Sequence, residues 1–540
     1  MGMTALIWDI GRLLWVTSLL MLIVWAPAAL STRNRRPPVT TVLEHFVVTA
    51  MLAVIAVSLL GPAKLLNPFT LLVAYSCWPL GKWLVRHRGT IGPDARTAVQ
   101  AIVLKGANRL ERAPRGNNFA SSVRSYVRVR RAELFAIADS ITTPVGVLMA
   151  AAVLVAIGPT CADVLVNTRL PNSHAYGELL TTQQLFAGEL GWGVPRVVAA
   201  LTAAISVVSS IAPVHLMRLL VPIAGVAAFV SLITTVRVMT GAIVPAIIAA
   251  ICAAVLWPAT AQLPASEISA VFVLLSLLFV FRTVRGGRDS RWLAITASLL
   301  VALLTPALLV VVGSAAALML LAPAGALIGA GAAWLVLSWI TPNAAPLGWA
   351  LTAAGLTHLV VSHLQFTRPP LRTALAAAVA ILGLAVVMPR AASASYVEYD
   401  AAARATLDIA TRFPKYRWTI AAPVEQWALS YGRGWHINLH EFVEELSAHV
   451  NDDGYRLPYK VDELFVFVET RPFTTFDAEP ADVPFRTLVD PVYRHYRSPA
   501  GRASLQFAAY ELCERLRQQT PGATVYFDDG RLKIYRFTLR

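Results

Sequence analysis

The feature that most narrows what this chain can become is a train of apolar runs that begins at Leu6 and ends at Met388. Each is about 17 to 25 residues long, the length of helix that crosses a ~30 Å hydrocarbon core. The runs cover residues 5–30, 43–60, 65–81, 141–158, 218–235, 241–257, 266–283, 291–312, 315–340, 346–365 and 370–388, with 197–214 apolar enough to join them. Hydrophobic residues make up 56% of the 540 and charged residues only 14%, with mean hydropathy +0.60, so an ordinary water-soluble globule is excluded. The expected fold is an α-helical polytopic membrane protein of about 10–12 transmembrane helices. Asp9 and Arg12 fall early in the first run and no small-residue cleavage site follows it, so it reads as a retained helix rather than a cleaved signal.

The net charge of +15 does not point to nucleic acid. Residues 390–540 hold 19 Lys and Arg against 20 Asp and Glu, so the surplus sits in short loops of the membrane half, the positive-inside pattern. Arg33, Arg35 and Arg36 put the first loop in the cytoplasm. The segment Lys82 to Arg131, with 12 Lys and Arg against Asp94 and Glu111, is the strongest cytoplasmic marker, and Arg282, Arg285, Arg288 and Arg291 form the second. Counting crossings from these markers makes 141–158 an outward helix and delivers residues 159–195 to the extracytoplasmic side. The same counting makes 197–214 interfacial or re-entrant. One extra break beyond Arg291, for instance near Pro323, puts the C-terminal tail outside as well. Cys77, Cys161, Cys252 and Cys513 are isolated in sequence and lack zinc or redox spacing.

Four segments result: 1–84, an N-terminal three-helix membrane segment; 85–140, a basic cytoplasmic segment; 141–390, a transmembrane core with the loop 159–195; and 391–540, a small soluble α/β domain. In that tail Tyr399–Phe413 and Leu439–Val450 have helical spacing. Arg417–Ala421, Glu463–Glu469 and Thr524–Phe527 have strand character, and Asp529-Gly530 marks a hairpin.

No phosphate-binding glycine loop, metal-ligand cluster or serine-hydrolase elbow occurs in the sequence. Between Val194 and Met388 the acids are Glu267 and Asp289 alone, at run ends, which weakens an ion-coupled transporter. Candidate chemistry gathers instead in 159–195. Asp163, Glu178 and Glu189 are carboxylates able to serve as a general base if burial raises their pKa, and Arg169, His174, Tyr176 and Arg196 could hold an anionic leaving group. In the tail, Tyr431-Gly-Arg433-Gly-Trp435-His436 is the densest polar-aromatic cluster. Read as a tight turn, it offers a stacking ring and donors suited to a sugar face.

The succession of outward helix, Asp163, a polar loop with His174-Ala-Tyr176-Gly-Glu178-Leu-Leu, a Gly-Trp-Gly break, an interfacial apolar helix and Arg218 opening a span resembles the GT-C superfamily of glycosyltransferases, which includes protein O-mannosyltransferases and aminoarabinose transferases. The resemblance covers roughly residues 141–390. It implies inverting transfer of a sugar from a polyprenyl-phosphate carrier to a glycan, lipid or protein acceptor outside a bacterial cytoplasmic membrane. Asp163 would be the base, Glu178 its rival, and Arg169, His174, Tyr176, Arg196, Arg433, Trp435 and His436 would contact substrate. Metal participation stays open, since the sequence lacks the family's usual paired acids. A transporter or flippase of a lipid-linked precursor, and a non-catalytic membrane scaffold with a binding tail, are the alternatives.

Overall fold

A computed structural model describes residues 3–32, 39–76, 144–170, 173–193, 196–256, 264–287, 290–319, 322–338, 345–363, 398–423, 425–449, 457–471, 499–520 and 522–539. The basic segment, the last apolar run and Cys77 lie outside the described residues. Among the described residues the structure is 76% helical, with a small C-terminal sheet.

The apolar half forms α1 (Met3–Thr32), α2 (Val39–Leu60), α3 (Pro144–Val166), α4 (Ser173–Ala187), α5 (Val197–Ser209), α6 (Pro213–Thr240), α7 (Ile243–Leu256), α8 (Pro264–Val284), α9 (Ser290–Leu304), α10 (Leu309–Met319), α11 (Pro323–Ser338) and α12 (Ala345–His363). Among the described residues, three helices are long and apolar enough to cross a membrane: Leu6–Trp25, Val39–Leu60 and Pro213–Thr240. Several of the others are apolar but shorter.

Prolines set many of the helix starts. Pro144, Pro213, Pro264 and Pro323 each open a helix, where the missing N–H has no partner to lose. Run 291–312 does not continue as one helix. Thr305 leaves helical geometry ahead of the 3-10 turn Pro306–Leu308, so the run splits into α9 and α10. A second break at Pro323 separates α10 from α11. The two apolar runs expected here are therefore three helices. α11 and α12 lie backbone to backbone: a Cβ on Gly331 would come 2.7 Å from the Gly348 carbonyl oxygen, and one on Gly355 2.9 Å from that of Ala324. Small residues permit this close approach, which brings many atoms of the two helices into dispersion contact.

Ion pairs identify the two ends of the bundle. Arg218, at the start of α6, reaches Asp9 near the start of α1 and main-chain carbonyls at the end of α3, so these three termini sit together. α2 starts where α1 has ended, and Glu44 in its first turns pairs with Arg282 near the end of α8, at the far end.

The tail comprises α13 (Asp400–Arg412), β1 (Trp418–Ala422), α14 (Glu425–Ser430), β2 (Trp435–Asn438), α15 (Leu439–His449), β3 (Glu463–Glu469), α16 (Pro499–Gln519), β4 (Ala523–Asp528) and β5 (Leu532–Thr538). Its five-stranded mixed sheet has the order β2-β1-β3-β5-β4, with β1 parallel to both neighbours and β3, β5 and β4 successively antiparallel. Period-two alternation divides the central strand between two cores. Leu464, Val466 and Val468 pack with α15 and α16, while Phe465 and Phe467 pack on the side of α13. The β4–β5 turn is closed by Asp529, whose carboxylate accepts the N–H groups of Arg531 and Leu532 at 2.9 Å, and by Gly530 at φ +77°.

Candidate functional site

The helix expected over 141–158 is longer than its apolar run suggests. α3 continues to Val166, so Cys161 and Asp163 lie in its last two turns rather than in a loop. Asp163 is half-buried, and its carboxylate accepts the side-chain amide of Asn167, one turn on, at 2.5 Å. The remainder of 159–195 is largely helix: α4 carries His174 in its first turn, then Tyr176 and Glu178. The His174 side chain lies outside the described residues. Tyr176 is fully buried, and its hydroxyl accepts the Leu170 N–H at 3.1 Å, a packing role.

Glu178 closes the N-terminus of α5. One carboxylate oxygen accepts the Ala199 N–H at 3.1 Å, and the other stands 3.6 Å from the Arg196 guanidinium. α5 has no capping side chain of its own, because its N-cap is Arg196. The carboxylate from α4 therefore satisfies an otherwise orphaned donor and meets the positive end of the helix dipole. Glu189 accepts a hydrogen bond from the Tyr431 hydroxyl of the tail.

The densest ionic assembly centres on a residue noticed in the sequence only as the opening of a span. Arg218 is 1% exposed. It donates to Asp9 at 3.0 Å, to the Val164 carbonyl at 3.4 Å and to the Asn167 carbonyl, and lies 3.4 Å from His215. Arg12 grips the other oxygen of Asp9 at 2.9 Å. Asp400, in the first turn of α13, accepts the backbone N–H groups of Thr168 and Arg169, while Arg404 pairs with Asp400 and donates to the Val166 carbonyl at 3.1 Å. The C-terminus of α3 is thus held by two arginines, and the peptide beyond it by Asp400. Apolar contact completes the junction: Ala403, Ala428 and Leu429 of α13 and α14 belong to the bundle's core, with Leu407, Trp427 and Tyr431 packed against it.

Below this end is a cavity of about 100 Å³ between α1, α2, α5, α6 and α8. Thr49 and Tyr75 bring hydroxyls to a lining otherwise made of groups such as Leu20, Leu201, Leu220 and Ile268. Leu20 and Leu220 also pack with Val16 and Leu216, one turn from Arg12 and two residues from Arg218 respectively, so apolar side chains lie between the cavity and the ionic cluster.

The expected tail cluster is distributed over two elements. Tyr431 to Gly434 form the turn after α14, with Gly432 at φ +70° and a Gly434 whose Cβ would strike the Trp418 ring at 2.5 Å. Trp435 and His436 begin β2, a strand that the reading of this stretch as a turn missed. His436 stacks on Trp427 at 6.5 Å between centroids, and its Nε2–H donates to the Pro423 carbonyl at 3.0 Å. The residue as a whole is half-buried, but burial of the ring draws its pKa down to about 4 against the pull of backbone hydrogen bonds to Pro423 and Ala422. The unfolded chain therefore takes up this proton near 6.5 and the native tail resists it until about 4. The stability contribution is complete above 6.5 and is lost as pH falls through that window. Thermal unfolding of the tail is expected to drop across it, and the His436→Gln variant to drop less; parallel pH profiles for the two proteins would refute this.

The structure thus joins Glu178 to Arg196, and Arg169 to the tail through Asp400. Arg433, Trp435 and His436 lie in a separate part of the tail. Among the described residues, no group of three or more His, Cys, Asp and Glu could hold a metal ion. Comparisons with family models, curated proteins and solved structures found no match to this chain.

Proposed function

We propose that the protein is a multi-pass membrane glycosyltransferase of GT-C type that takes a sugar from a polyprenyl-phosphate carrier and transfers it to a glycan, lipid or protein at the end of the bundle where the tail docks. One observation carries the reading: the same bundle holds an apolar cavity and a cluster of arginines and carboxylates, and the lining residues Leu20 and Leu220 pack with Val16 and Leu216, near Arg12 and Arg218. The apolar lining suits a single isoprene-sized segment of the carrier, and a phosphate suits arginine donors.

In the proposed reaction the acceptor oxygen attacks the anomeric carbon, the bond from that carbon to the phosphate oxygen breaks, and the electron pair leaves with the phosphate. The acceptor's proton passes to Asp163. Asp163, whose carboxylate accepts the neutral Asn167 amide, suits this role better than Glu178, which meets both the Ala199 N–H and the Arg196 guanidinium at the start of α5. Purified full-length Asp163→Asn protein is expected to transfer labelled sugar about 100-fold more slowly than wild type. Glu178→Gln should lower thermal stability and leave the rate per folded molecule near wild type. Undiminished transfer by Asp163→Asn would remove the base.

A specific observation favours the non-catalytic scaffold as second reading. Asp9, Asp400, Glu178 and Glu189 are each engaged in bonds that hold helices or the tail in place. Absence of transfer by the wild-type chain would select that reading, or the flippase.

A further inference from the structure

The elements that face the bundle, α13 and α14, end in a patch that the proposed reaction does not use. Lys415 and Tyr416 follow α13, and Arg433 and Trp435 follow α14. The two rings are exposed, 51% at Tyr416 and 56% at Trp435, with centroids 5.7 Å apart and planes inclined at 54°. The backbone holds them there against a cost. Tyr416 sits at φ +61°, a left-handed conformation that is unfavourable for a bulky residue. It is pinned by its N–H to the Arg433 carbonyl at 2.8 Å and by the Trp435 Nε1–H to its own carbonyl at 3.3 Å. Lys415 and Arg433 are exposed, and neither side chain has a hydrogen-bond or ion-pair partner among the described residues.

The patch lies beside the tail–bundle junction. Tyr431, two residues before Arg433, bonds to Glu189, and three residues past Glu189 comes Trp192, 73% exposed. The glycine of that loop, Gly188, packs on Lys64 beyond the end of α2. If the bundle spans a bilayer, this fringe of the tail is at headgroup depth, where Trp and Tyr with adjacent Lys and Arg form the usual interfacial belt. Rings inclined at 54° present edges to such a zone; a flat sugar-stacking platform calls for a single plane.

We infer that Lys415, Tyr416, Arg433 and Trp435 are an interfacial anchor that seats the tail on anionic phospholipid headgroups. This rests on the membrane-spanning part of the proposed function and is independent of its chemistry. The two cations together would contribute roughly 2 kcal/mol, about 30-fold in the equilibrium between seated and lifted tail.

The test uses the full chain, its native cysteines replaced by alanine, reconstituted in nanodiscs and carrying one nitroxide at Trp435→Cys or at Val525→Cys on the opposite edge strand. In anionic discs the nitroxide at 435 is expected to be more accessible to oxygen than to an aqueous nickel chelate, and the one at 525 the reverse. The contrast should shrink in zwitterionic discs, and shrink likewise with Lys415→Gln and Arg433→Gln, while inorganic phosphate leaves it unchanged. Aqueous accessibility at both positions in anionic discs would overturn the inference. So would protection of 435 by a soluble acidic oligosaccharide in lipid-free detergent, which would make the patch a glycan site. Extraction of the wild-type chain from membranes by alkaline carbonate would instead remove the spanning premise.

Discussion

Arg218→Met is expected to destabilise the protein by about 3–5 kcal/mol, because it strands a buried carboxylate. Asp9 is 3% exposed and is held between Arg12 and Arg218. Without the Arg218 guanidinium, Asp9 keeps one partner of two, and the carbonyls of Val164 and Asn167 lose their donor. The remaining bond to Arg12 should hold the loss toward the lower bound. Asp9→Asn combined with Arg218→Met removes both charges and should cost less than the sum of the single changes, since residues in contact are non-additive. Thermal unfolding in detergent measures all three proteins. An Arg218→Met midpoint equal to wild type, or strict additivity in the double variant, would show that the cluster is held by packing alone.

This expectation concerns the part of the molecule hardest to see in the sequence. Asp9, Arg218 and Asp400 are separated by hundreds of residues, and each taken alone is an edge charge on an apolar run or a first-turn acid. The available clue was energetic: a carboxylate and a guanidinium inside apolar segments are costly unless paired, so their presence called for partners. Periodicity could say that partners were needed, but naming them required the topology that brings the starts of α1 and α6 to the end of α3. Asp163 shows the complementary limit. Hydropathy marks where apolar character fades, near Gly158, whereas the helical hydrogen bonds run on to Val166. A polar final turn and a loop look alike in composition.

The tail was more legible because its signals are local. The expected helix Leu439–Val450 is α15, Leu439–His449, and the run Glu463–Glu469 is β3 residue for residue. Asp529-Gly530 forms its hairpin because both residues carry turn chemistry within the dipeptide. β2 escaped because four residues between Gly434 and the start of α15 offer too little alternation to read, and its strand state is enforced by parallel pairing of Thr419 with Trp435 through Ala422 with Asn438. α16 escaped for another reason. Its apolar positions are scattered among Arg502, Gln506, Glu511 and Glu514, and two of those polar groups are buried.

Those buried groups carry the second large effect. Glu469 at the end of β3 and Arg502 in the first turn of α16 form a two-pronged pair, Nε to carboxylate at 2.9 Å and NH2 at 2.5 Å, with side chains 4% and 1% exposed. Gln506, one turn further along α16, accepts the Glu469 backbone N–H at 2.8 Å, so one helix face satisfies both the charge and the main chain of the strand end. Arg502→Met leaves the carboxylate buried beside a thioether and is expected to cost about 3–5 kcal/mol, while changing Glu469 and Arg502 together to Leu and Met should cost far less. The damage should also be confined. Hydrogen exchange ought to accelerate in β3, β5 and α16 and stay at the wild-type rate in α6 and α8, because the pair ties the end of β3 to α16, whereas the tail's apolar contact with the bundle is made by α13 and α14. Equal acceleration in the bundle would mean that tail and helices unfold as one cooperative unit, and the tail could then not lift or reseat on a membrane as a separate body.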